Sequence, residues 1–73
     1  MNKTISMKDI LSTDKLLNEA IRLYEKHRGS ELHRELTKLI EPEMPAINKR
    51  LGQENDVGYM AYAVGHALMK SSK

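Results

Sequence analysis

DVGYMAYAVGHALMK, residues 56–70, is the stretch on which the fold turns. Between Val57 and Met69 it holds no Asp, Glu, Lys or Arg, although charged residues make up 30% of the chain. Drawn as a helix, it places Val57, Met60, Ala61, Val64, Ala67 and Leu68 on one stripe with the i, i+3/i+4, i+7 spacing of a core face. Tyr59, Tyr62, His66 and Met69 form a second stripe on the opposite side. A helix with two uncharged faces is expected to be covered by its own bundle on one side and by a partner on the other. Gly65 points the same way, because a glycine inside a helix costs about 1 kcal/mol relative to alanine. That cost is easier to understand where a second helix comes close. The expected protein interface is therefore Tyr59, Tyr62, Gly65, His66 and Met69, with a homodimer as the first expectation and another protein as the second.

The segments before this stretch read as helices that build the other side of the core. Ser12 or Thr13 caps a helix running to about Arg28, with Asp14 in its first turn at the positive end of the dipole. Leu16, Leu17, Ala20, Ile21, Leu23, Tyr24 and His27 lie on its apolar arc, and Gly29 stands where a helix-terminating residue belongs. Ser30 opens the next helix, whose buried stripe is Leu32, Leu36, Leu39 and Ile40. The short link around Gly29 makes the two an antiparallel hairpin. In residues 41–45, EPEMP, each proline removes a backbone donor and disfavours helix in the residue before it. The simplest reading stops the helix near Glu41 and restarts a short one with Pro45 in its first turn. A kinked helix continuing from Glu31 to Leu51 is the alternative, since Ile47 and Leu51 extend the earlier stripe. Gly52 ends the segment in either case, and Asn55 is the expected cap of the last helix. Residues 1–12 read as a loosely ordered arm, with a weak capping box at residues 6–9 and Ile5, Ile10 and Leu11 available to fold back. The whole, residues 1–73, is one small all-α domain: a helical hairpin, a short Pro-bounded helix and an apolar C-terminal helix, expected to self-associate.

Composition narrows the chemistry. Without cysteine there are no disulfides, no thiolate metal sites and no thiol nucleophile. Without Phe or Trp the core rests on aliphatic residues, Met and three Tyr, and a core of this size rarely gives a wide stability margin alone. Association is a common remedy. The 12 basic and 10 acidic side chains leave a net charge of only +2, too weak a bias to argue for nucleic acid or anionic lipid. The uncharged stretch, about 20 Å long as a helix, falls short of the ~30 Å bilayer core. With no apolar leader in residues 1–8, a cytoplasmic protein is expected.

His27 and His33 flank the hairpin turn, which could bring them together beside Glu31, but no histidine follows a Glu by three residues and HExxH is absent. No metal or cofactor is expected. His66, one turn beyond Tyr62, reads as an interface imidazole with a polar tip. The carboxylates are scattered, and no phosphate loop or nucleophile elbow is present, so catalysis is not expected. The expected role is a small non-enzymatic interaction or regulatory module. Its competitor is a helical nucleic-acid-binding protein using Arg22, Lys26, Arg28, Arg34, Lys49 and Arg50, although glutamates interleave with these cations.

Overall fold

The computed structural model describes residues 7–71, which are helical with short connections and contain no strand. In chain order they are α1 (Met7–Ile10), α2 (Asp14–Lys26), α3 (Gly29–Ile40), a 3₁₀ turn (Glu41–Glu43), α4 (Met44–Leu51) and α5 (Val57–Ser71). The all-α bundle expected from the periodicity is the architecture found. α3 is the central element, packed chiefly against α5 and then against α2, while α1 is held between α4 and α5. The radius of gyration, 11.5 Å, matches the ~11 Å expected of one compact body of this length.

Local chemistry sets the ends of the helices. Thr13 Oγ1 accepts the Leu16 N–H at 3.2 Å, closing the first turn of α2. α2 stops at Lys26, two residues before the expected end, with His27 and Arg28 in extended conformation. Gly29 does adopt a left-handed φ of +61°, but as the first residue of α3 and not as the stop signal of α2. Ser30 accordingly lies inside α3, whose N-terminus has no side-chain cap.

The proline segment resolves between the two expected readings. Regular α-helix ends at Ile40, yet backbone angles from Ile40 through Met44 remain right-handed helical. The turn tightens to 3₁₀, with the Met44 N–H donating to Glu41 O. Pro42 and Pro45 lack the N–H groups that α-helix would require, and the tighter turn accommodates their loss. The apolar stripe thus continues across the prolines, and Leu36, Ile40 and Ile47 are all fully buried.

Gly52 ends α4 at φ +74°, and the Gly52 and Gln53 N–H groups both donate to Asn48 O. The cap of α5 is Asp56, one residue beyond the expected Asn55. Asp56 Oδ2 accepts the Tyr59 N–H at 3.0 Å, while Asn55 turns back and donates its backbone N–H to Asn48 Oδ1.

The core consists of Ile10, Leu11, Ala20, Leu32, Leu36, Ile40, Ile47, Met60, Ala61, Val64 and Leu68. The inner stripe of α5 holds as read, with Val57 and Ala67 at its partly buried margin. Only Ala20 of α2 is fully buried, and Ile21 is 39% exposed. At 100° per residue Ile21 sits a quarter-turn or more from Ala20 and so turns toward solvent. The N-terminal arm, from Met7 onward, belongs to the core through Ile10 and Leu11. Arg50 fixes it by donating through Nε and Nη2 to Asp9 O at 3.2 and 2.7 Å. Ile5 and Ser6 lie outside the described residues. No described helix is long and apolar enough to cross a membrane.

Candidate interaction groove

An open groove of about 430 Å³ lies between α3 and α5. Its α3 wall is Gly29, Ser30, Leu32, His33 and Leu36; its α5 wall is Ala61, Tyr62, Gly65, His66 and Met69. These walls contain no Asp, Glu, Lys or Arg. The core-facing stripe of α5 ends at Ala61, and the next positions around the helix, Gly65, Met69 and Tyr62, open into the groove.

Four of the five residues read from sequence as an interface therefore come together. Tyr62 is 62% exposed and Met69 58%. The Tyr62 and His66 rings lie nearly parallel, at 16° with centroids 6.1 Å apart, forming a flat rim along the groove. Tyr59, 56% exposed, does not line the groove. It is one turn before Tyr62, rotated about 60° further around the helix, so it flanks the site from outside.

Gly65 is part of the α5 wall. A Cβ built there would meet only Leu36 Cδ1, at 3.6 Å, an ordinary contact. Nothing in the fold requires glycine at this position, although an interior glycine costs the helix about 1 kcal/mol. Gly58 differs: its Cβ would press against the capping carboxylate oxygen Asp56 Oδ2 at 3.0 Å.

His33 reaches across to α5. Its Nε2 lies 2.9 Å from Gly58 O, so the Nε2–H tautomer donates to that carbonyl and ties the two helices together beside the groove. Sequence reasoning missed the α3 wall because helical periodicity assigns a residue to a face without naming the helix opposite it. The one visible signal was the position of His33 next to the buried Leu32.

The two histidines that flank the hairpin turn have different partners. His27 Nδ1 lies 3.3 Å from Glu31 Oε1, close enough for an ion pair when the imidazole is protonated but not aligned as a hydrogen bond. His33 is engaged with Gly58. Among the described residues no three metal-ligating side chains cluster.

The six cations of the nucleic-acid reading occupy dissimilar settings. Arg50 is held by the α1 carbonyls. Arg28 lies over the Tyr24 ring, 4.3 Å from its centroid, and donates to His27 O at 2.8 Å. Arg22 is 4.0 Å from Glu19. Lys26, Arg34 and Lys49 are exposed on three different helices. Comparison with known protein families, characterised proteins and solved structures finds no match to this chain.

Proposed function

We propose that this chain is a small non-enzymatic interaction module that self-associates through α5, with the α3–α5 groove as the contact surface. One observation carries the reading: exposed Tyr62 and Met69 border an apolar groove on a helix that bears no charge from Val57 to Met69. Large exposed apolar groups gathered at a concave surface are a mark of contact sites, whereas isolated ones are ordinary. Tyr also serves interfaces well, having a broad apolar ring and a polar tip. A nucleic-acid role has less support, because Arg28 and Arg50 are already engaged and the remaining cations are dispersed.

Replacing Tyr62 by Glu tests the proposal. At 62% exposure the substitution leaves the core untouched, so far-UV circular dichroism should not change. Light scattering on a sizing column should show the wild type associated and Tyr62→Glu monomeric, with an exposed control, Lys15→Glu, still associated. Equal masses for wild type and Tyr62→Glu would refute the use of this groove.

A further inference from the structure

Resting on the self-association proposed above, we infer that the groove's occupant is α5 of a second copy, which crosses its counterpart at Gly65 about a two-fold axis. Charge supports this occupant. In a two-fold contact, residues near the axis face their own copies, so a charged group there would meet its like. The groove walls and the α5 segment around Gly65 offer no formal charge to repel itself. An acidic or basic partner would find no countercharge there. The outward surfaces of α2 and α3 carry both signs, as with Arg22 beside Glu19 and Lys38 beside Glu35, and α4 carries the cations Lys49 and Arg50.

Area supports it too. Taking roughly 200 Å² for a large side chain, the exposed parts of Tyr59, Tyr62 and Met69 come to roughly 350 Å² in each copy. A two-fold doubles this to roughly 700 Å² before any groove wall is counted, more than half of the ~1,200 Å² at which stable interfaces begin. A foreign segment in the groove would leave the projecting rings of α5 without a matching hollow. A second copy brings the hollow as well, because rim and groove lie side by side on the same helix.

Gly65 is then the point of closest approach. The fold itself would accept a methyl group there, 3.6 Å from Leu36 Cδ1. What the missing Cβ provides is room for another backbone.

The test uses the full chain, whose lack of cysteine makes one introduced thiol unique. Gly65→Cys, oxidised with diamide, should form a covalent dimer, because only a residue near the axis brings its Cα within roughly 4.4–6.8 Å of its own copy. Lys15→Cys, on α2, should stay uncrosslinked under the same conditions. Gly65→Ala guards against a thiol that spoils the contact: it should melt at or above the wild-type temperature at concentrations where both are monomeric. Its dissociation constant should nevertheless rise at least tenfold. A dimeric wild type with neither the disulfide nor weaker association in Gly65→Ala would overturn the crossing at Gly65 while leaving self-association standing. A monomeric wild type would remove both.

Discussion

At Gly65 a methyl group would touch only Leu36 Cδ1, whereas at Gly58 it would press on the oxygen that caps α5. Two glycines in one helix should therefore respond differently to alanine. Below the association range, Gly65→Ala should gain about 1 kcal/mol from helix propensity. That corresponds to a rise of roughly 4–8 °C in melting temperature for a domain of this size. Gly58→Ala should show no such rise, because the gain is offset by displacement of Asp56 from the Tyr59 N–H. Thermal melts of the two variants side by side decide the point. His33→Leu removes the bond to Gly58 O and should cost about 1 kcal/mol, read as a lower urea midpoint with an unchanged slope. Of these residue-level features, sequence showed the cost of Gly65 but not the contact of His33, whose partner lies 25 positions away. It also put the cap at Asn55 instead of Asp56. Adjacent Asn and Asp are equally able to cap, and only the backbone path selects between them.

At the scale of elements, periodicity was informative where one side of a helix is buried and the other wet. The inner stripe of α5 is legible for this reason, as is the α3 stripe of Leu32, Leu36 and Ile40, with Leu39 only half-buried at its edge. The proline segment was legible only as a pair of alternatives, because a 3₁₀ turn keeps the apolar stripe in register while removing the α-type bonds. The weakly patterned α1 was harder still, since its four residues are too few for a period to show. Its place depends on Arg50, which donates to Asp9 O and Ile10 O from α4. Arg50→Met should keep the aliphatic contacts and lose these bonds. The expected cost is about 1 kcal/mol, accompanied by faster amide exchange at Leu11, whose N–H donates to Met7 O. Unchanged exchange at Leu11 would mean that burial of Ile10 and Leu11 holds α1 by itself.

For the whole molecule, the small core makes each buried aliphatic group matter. Ile47 is 0% exposed and joins the core across the proline turn. Ile47→Ala should cost about 2–5 kcal/mol, a large part of the ~5–15 kcal/mol typical of a stable domain. Urea unfolding would then show a midpoint well below that of the wild type, with an unchanged slope. A chain with so small a core stands to gain from pairing, since a partner that binds only the folded form stabilises it by mass action. The outer surface of α5 is where we propose that such a partner fits, and its absence of charge is visible in the sequence itself. What the sequence left hidden was the second wall: the groove is lined by α3 as well as α5, and that pairing is a property of two helices together. The most direct test of this account is the absolute mass of the wild-type chain in solution, measured by light scattering over a range of concentrations. The account predicts a rise toward twice 8.4 kDa as concentration increases. A mass that stays at 8.4 kDa at every concentration would contradict it.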